Sequence, residues 1–478
     1  MVFPTSLVRW LLWPALVLLS ACAVSTVVPP APTGHPITVL QDVSILDVRG
    51  GRMLEEQAIE IRGEILHSIQ PSASYVPPAG AEVHRLSGGF VVPGFVDMHA
   101  HVLLHPWKED GGLSHRYERA GIEVLLKLLL AHGITTVRDP GAPTEAAITF
   151  REMVDRGVLT GPAILTAGRI LNSSDFDPEP FAVVRDEEAV RREVRWQAAA
   201  GVDFIKLYAS MPPSLVRAAI DEAHARGLPV IGHLQRTTWT EAAELGIDGL
   251  CHAAPWSVEY LPEEARAGYP PNLLGRAYWL EHLDLEGRSV QEMIAALARR
   301  RVAVDSTLIA MHSKFWGNDP RYVRHPALEL MPELYRRGWP KGSFTASWTA
   351  ADHQMARKQW PKLLALTGRL HAGGVPLTVG TDTPTPWIIP GISFHEELEL
   401  LASAGIPPAD LLRMATLNAA IALRREGKQG EIRPGQRADL VVLGANPLED
   451  IRHTRAIRAV MKAGRLHEPE DLLEPARR

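Results

Sequence analysis

Cysteine is nearly missing from this chain: there are two in 478 residues, Cys22 and Cys251. A disulfide framework is therefore excluded as the main source of stability, and the core must supply it. Long apolar runs are scarce too. The stretch from Trp10 to Leu19 is too short to span a bilayer comfortably. Charge of one sign is not in excess, with 50 Lys and Arg against 55 Asp and Glu, a net charge of -5. No basic stripe marks a nucleic-acid surface, and no acidic block marks a disordered tail. Hydrophobic content of 46% and charged content of 22% describe an ordinary globular chain, long enough for more than one domain.

The first residues differ from the rest. Arg9 precedes the apolar run, which ends in Leu19-Ser20-Ala21-Cys22. This order has the form of a secretory signal, and its end looks like a bacterial lipobox. The expectation is a signal peptide over 1–21, a lipidated Cys22 and a Pro- and Thr-rich tether over 22–36. Such a chain is exported and anchored by lipid to a bacterial envelope, on the periplasmic or outer-surface side. If Cys22 carries lipid, no internal disulfide is possible.

Two different rhythms follow. From Ile37 the signals are short strands, with a hairpin at Arg62-Gly63 inside "AIEIRGEILHSI". The same style returns late, with a strand over 439–443 and a hairpin near Lys462–Gly464. These two stretches, 37–93 and 428–467, predict one small β-sandwich domain composed from both termini. Between them, over 94–427, β-rich runs alternate with amphipathic helices. Strands are predicted at 94–99, 134–139, 163–171, 203–208, 229–234, 249–253, 303–308 and 376–382. Helices are predicted at 120–131, 187–200, 213–226 and 290–300. Eight β-α units close naturally into a TIM-like (β/α)8 barrel of the α/β class. A doubly wound open sheet is disfavoured because no glycine-rich dinucleotide fingerprint follows the early strands. The segment 311–360 is rich in aromatics and is read as a lid insert or a peripheral packing element. The last stretch, 468–478, is read as a tail.

In such a barrel the chemistry collects at the carboxyl ends of strands. His99 and His101 close the first strand in "PGFVDMHAH". An HxH triplet is expected roughly once by chance in a chain with 19 histidines, so it counts only if other residues converge. Others do: Lys206 in "DFIKLY", His233 in "VIGHLQ", His252 in "GLCHAA" and Asp382 in "LTVGTDTPTP". Each has a bland reading, as a hydrogen-bonded core histidine, a helix N-cap or a snorkelling lysine. Together they fall on five of the eight strands of one predicted barrel, the first, fourth, fifth, sixth and eighth.

These motifs resemble the amidohydrolase superfamily, in its binuclear branch with a carboxylated lysine, and within it the imidazolonepropionase-related and prolidase-like group. The helix "HEELELLASAGIPPADLLRMATLNAAIALR" and the resumption "GEIRPGQRADLVVL" belong to the same resemblance. The resemblance implies that His99, His101 and Asp382 bind one divalent metal and that His233 and His252 bind a second, zinc being the expected ion. Lys206 would bridge both as a carbamate made from carbon dioxide. Burial favours the neutral amine, whose lone pair can add to carbon dioxide. Asp382 would be the catalytic proton carrier for metal-activated hydroxide cleaving a C–N bond.

The implied substrate is a dipeptide, as in prolidases, or an N-acyl amino acid or other small amide. Tyr208, His105 and Arg169 are candidate substrate contacts, with Trp107, His115, Arg138 and Trp256 also near strand ends. The loops "ILNSSDFDPEP" and "KLYASMPPS" depart from the glycine-containing loops of the prolidase-like group, which leaves the substrate open. A mononuclear deaminase or cyclic-amide hydrolase is the enzymatic alternative, and a non-catalytic binding lipoprotein is the other. A homo-oligomer is compatible with the sequence.

Overall fold

The computed structural model describes residues 36–103, 119–174 and 180–473. The signal segment, Cys22, the tether up to residue 35, His105, Trp107 and His115 lie outside the described residues. Among those described, no helix is long and apolar enough to cross a membrane.

Alternating apolar residues and tight glycine turns build the first layer. β1 (Ile37–Asp47) and β2 (Arg52–Arg62) pair antiparallel, and Gly63, at φ 58°, turns the chain into β3 (Ile65–Pro71). β4 (Glu82–Pro93) returns parallel to β1. Its other edge is completed from the far end of the chain. After the ten strands β5 to β14 described below, β15 (Leu440–Leu443) pairs antiparallel with β4, Val441 opposite Val92, and β16 (Ile457–Lys462) and β17 (Arg465–His467) follow. The order is β17-β16-β15-β4-β1-β2-β3. The sheet bends until Leu66 N–H donates to Gln436 C=O at 2.9 Å. Leu40, Ile45, Ile59, Ile61, Val91, Leu440 and Met461 fill the resulting sandwich.

β4 runs into the barrel through Gly94, where a Cβ would fall 2.1 Å from Thr135 Oγ1. The eight barrel strands are β5 (Phe95–Asp97), β6 (Ile134–Asp139), β7 (Ala163–Thr166), β10 (Ile205–Leu207), β11 (Val230–Gly232), β12 (Gly249–Cys251), β13 (Ala303–Asp305) and β14 (Leu377–Thr378). The pairs β5–β6, β6–β7, β10–β11, β11–β12, β12–β13 and β13–β14 are all parallel. Backbone hydrogen bonds cross the two remaining seams, among them Met98 N–H to Val379 C=O and Asp203 N–H to Thr166 C=O, each 2.9 Å. The surrounding helices follow their apolar stripes. Glu187–Ala200 starts on the Asp186 cap, buries Val190, Val194 and Gln197, and stops at Gly201 with φ 91°.

Three sequence expectations are corrected. The third predicted strand, 163–171, is two strands. Gly168, at φ 68°, breaks it into β7 and β8 (Ile170–Asn172), and β8 pairs with β9 (Phe181–Val183) and β10. The seventh strand ends at Asp305, because Leu308–Phe315 is a helix. The C-terminal stretch is not all tail: Pro469–Leu473 is helical and buries Leu472 against Leu130 and Ala131. The aromatic segment is helical, with Tyr322, Tyr335 and Trp339 packed beside Trp387 and Ile388.

Candidate metal centre

Strand alternation brings the polar groups together. His99 and His101 lie two and four residues past β5, so both rings point the same way, their centroids 5.2 Å apart. Lys206 is the middle residue of β10 and is 2% exposed. His233 and His252 directly follow β11 and β12, and Asp382 follows β14. His252 and Asp382 sit in left-handed backbone, φ 75° and 66°. Conformations of this kind cost of order 1–3 kcal/mol each for non-glycine residues and mark places where side-chain direction outweighs backbone comfort. All six residues, with Tyr208, line one cavity of about 270 Å³ at the carboxyl end of the barrel.

The imidazoles are oriented from behind. His99 Nδ1 is 2.9 Å from Asp305 Oδ1, and His101 Nδ1 is 3.2 Å from the Gly141 carbonyl. These acceptors hold the proton on Nδ1 and turn each Nε2 lone pair inward. Both Nε2 atoms face Asp382 Oδ1, at 3.5 and 3.6 Å. A tetrahedral ion bound at 2.0–2.1 Å needs ligand atoms about 3.3 Å apart, so this trio fits a zinc-sized cation. Beside it, His252 Nδ1 meets Thr307 Oγ1 at 2.7 Å, and its Nε2 faces His233 Nδ1 at 3.0 Å. The His99 and His252 rings are 4.8 Å apart, which makes the four imidazoles one cluster.

Burial holds these rings neutral. It lowers His101 to about 4, with help from the Lys206 charge, and pushes His99, His233 and His252 further below the usual histidine range. Neutral imidazole is the form a metal requires. Burial also lifts the Asp382 carboxyl to about 6, against the pull of Lys314 and Lys206. A second trio, His99, Cys251 and Asp305, has equally close donor atoms. It is the poorer candidate. Asp305 is occupied by Arg138, His99 and the His252 N–H. The Cys251 thiol is pushed up to about 12 by burial and accepts from Lys206 Nζ at 2.8 Å.

Of the expected substrate contacts, Tyr208 lines the cavity with its ring centroid 4.9 Å from that of His233, and Trp256 lines it too. Arg169 is a correction. It follows the left-handed Gly168, binds both oxygens of Glu193 at 2.7 and 2.8 Å, and stacks over Trp196, away from the cavity. Arg138 is likewise committed, to Asp305 and the Met98 carbonyl. Sequence reasoning missed Asp305, whose signal was a carboxylate closing the buried run "AVD". It also missed Arg276 and Lys314, which line the cavity from segments outside the barrel strands.

Comparison with known proteins places this geometry. The amidohydrolase family profile matches residues 90–258 and 351–467, more than half of the chain. An uncharacterised protein of Mycobacterium tuberculosis is 31% identical over 205 residues, 40% of this chain and 50% of that protein; the chain thus spans about half the length of that relative. Imidazolonepropionase of Pseudomonas syringae is 24% identical over 408 residues, covering 81% of this chain and 88% of the enzyme. Among solved structures, a Xaa-Pro dipeptidase with methionine in its active site superposes with a TM-score of 0.67 at 20% identity, over 90% of this chain and 100% of the other. Aspergillus niger ochratoxinase superposes with a TM-score of 0.64 at 18% identity, over 93% and 99%. These structural likenesses establish the same fold. The profile match spans strand ends that carry five of the six polar residues and resumes to take in the sixth, Asp382, and the C-terminal sandwich strands; the chain belongs to the amidohydrolase family.

Proposed function

We propose that this protein is a metal-dependent hydrolase that cleaves a C–N bond in a dipeptide or N-acyl amino acid. One observation carries the reading: side chains from five barrel strands converge on a single cavity with the Nε2 atoms of His99 and His101 turned toward Asp382. His99, His101 and Asp382 would hold one divalent ion, zinc by donor type, and His233 and His252 a second, with Lys206 between them as its carbamate. Bound metal would supply Lewis acidity and an acidified water. The chain's own contributions are separate. Asp382 accepts the proton of the attacking water and returns it to the leaving nitrogen. Asp305, the Gly141 carbonyl and Thr307 fix the imidazoles so that little reorganisation remains during reaction. The apolar walls exclude bulk water from the reacting carbonyl. The structural relatives, a Xaa-Pro dipeptidase and an ochratoxinase, support amide cleavage.

A second reading keeps Lys206 as a free amine, as in its 2.8 Å hydrogen bond to Cys251 Sγ, with one metal and a cyclic-amide or deaminase substrate. Imidazolonepropionase, a relative over most of the chain, favours it. Metal analysis of the purified protein, followed by dipeptide and N-acyl amino acid panels, separates the two. Two ions per chain with peptide turnover supports the first reading; one ion with ring opening only supports the second. The proposed lipid anchor is tested apart from either, by membrane fractionation of Cys22→Ala.

A further inference from the structure

The metal-ligating cluster is not the cavity's only charged feature. Arg276, in the helix Leu274–His282 between β12 and β13, lines it, and so does Lys314, near the end of the helix Leu308–Phe315. Neither has a carboxylate partner among the described residues. The Arg276 guanidinium makes no hydrogen bond or ion pair there. Its Nη1 is shielded and unpartnered, and the Trp256 ring lies 4.7 Å from the guanidinium. Lys314 Nζ donates to the Ala310 carbonyl at 3.0 Å and lies 5.2 Å from the Phe344 ring. An arginine offers five N–H donors in a planar fork suited to carboxylate. Leaving such a group inside a protein without an acceptor is costly unless a ligand completes it.

We propose that Arg276 and Lys314 form a carboxylate-recognition subsite, which holds the free α-carboxylate of the amino acid released from the substrate. The assignment to the leaving side comes from position. Lys314 and Asp382 line the same cavity. Asp382 delivers its proton to the leaving nitrogen, and an α-carboxylate is two bonds from that nitrogen. Arg276 lines the cavity together with His233 and Tyr208. Burial lowers Arg276 to about 10 and Lys314 below its usual range, as expected of cations awaiting a counter-ion. Much of the remaining cavity lining is apolar, with Ile170, Phe181, Leu273, Met311 and Phe344 among it. The preferred leaving group is therefore an amino acid with an apolar side chain and an unblocked carboxylate.

This inference deepens the proposed function and rests on it for the word "leaving", but the subsite itself can be tested alone. With metal-loaded full-length protein, dipeptides ending in phenylalanine or methionine are compared with their C-terminal amides. The free acids are expected to be favoured by about 10- to 100-fold in kcat/KM, chiefly through KM. Arg276→Met should cost the acid at least about tenfold more than the amide, Lys314→Gln should act in the same direction, and Arg276→Lys should restore part of the preference. Equal loss on acid and amide would overturn the subsite. Calorimetry with phenylalanine and phenylalaninamide gives the independent arm. Phenylalanine is expected to bind more tightly than its amide to the wild type, and the difference to vanish in Arg276→Met. If no peptide is turned over but this difference is seen, the amide-cleavage reading fails and the subsite stands. If peptides are cleaved without any such difference, the reverse holds.

Discussion

Arg138 Nη2 sits 2.7 Å from Asp305 Oδ2, and the other oxygen of that carboxylate holds His99 Nδ1 at 2.9 Å. Both charged residues are buried, and the same Asp305 oxygen also accepts the His252 N–H at 3.2 Å. One ion pair thus underlies imidazoles on both sides of the candidate metal centre. Breaking a buried pair strands its remaining charge, at about 3–5 kcal/mol. Arg138→Met should lower the unfolding free energy by about that much, read by urea denaturation. Asp305→Asn keeps the shape but weakens the hold on His99. Its metal affinity should fall about 10- to 100-fold, read by competition with a chelator.

Asp382→Asn should remain folded and lose about 10²- to 10⁴-fold in kcat. Circular dichroism checks the fold and metal analysis the site. Turnover close to wild type in a folded, metallated variant would remove Asp382 from the mechanism.

Lys206→Gln tests the carbamate. The variant should bind about one ion where the wild type binds about two, and its activity should not respond to bicarbonate during metal loading. Wild-type protein loaded with isotope-labelled bicarbonate should show a carbamate carbon by NMR, and the variant should not. A label-free wild type with two ions would mean the bridge is made by something else.

Glu397, which is outside the candidate ligand set, gives a pH signature. Its carboxyl, buried on the helix Ile392–Ser403, accepts from Ser306 Oγ at 2.5 Å and from the N–H groups of Leu308 and Ile309 at 2.9 and 2.6 Å. Burial outweighs these donors and raises it from 4.5 to about 7. Between those values the folded protein holds a proton that the unfolded chain has released. The stability Glu397 contributes is complete below pH 4.5 and is lost as pH rises through about 7. The stability gap between wild type and Glu397→Gln should therefore narrow across that window in thermal melts. A widening gap would mean the folded carboxylate is ionised.

Much of the architecture was legible because it depends on periodicity. Ile134–Asp139 and Glu187–Ala200 fall where their patterns place them, and the composite sandwich follows from alternating strands at both ends of the chain. The six convergent polar residues were legible because charge at the end of a buried strand is expensive and needs a reason. Arg169 was misread because sequence spacing does not reveal a left-handed turn at Gly168 that sends the side chain toward Glu193. Arg276 and Lys314 were overlooked because they reach the cavity from excursions outside the β-α repeat. Asp305 was overlooked because its partners, Arg138 and His99, lie more than 160 positions away in the chain.

The sheet order places β15 against β4, so the earliest folded part of this protein depends on its last fifty or so residues. As the chain leaves the ribosome, β4 has one paired edge and one bare one, and the bare edge stays open until the whole barrel has been made. Unpaired strand edges recruit neighbours, so newly made chains should be most prone to aggregation in that interval. A stop codon late in the gene would then be as damaging as one near its start.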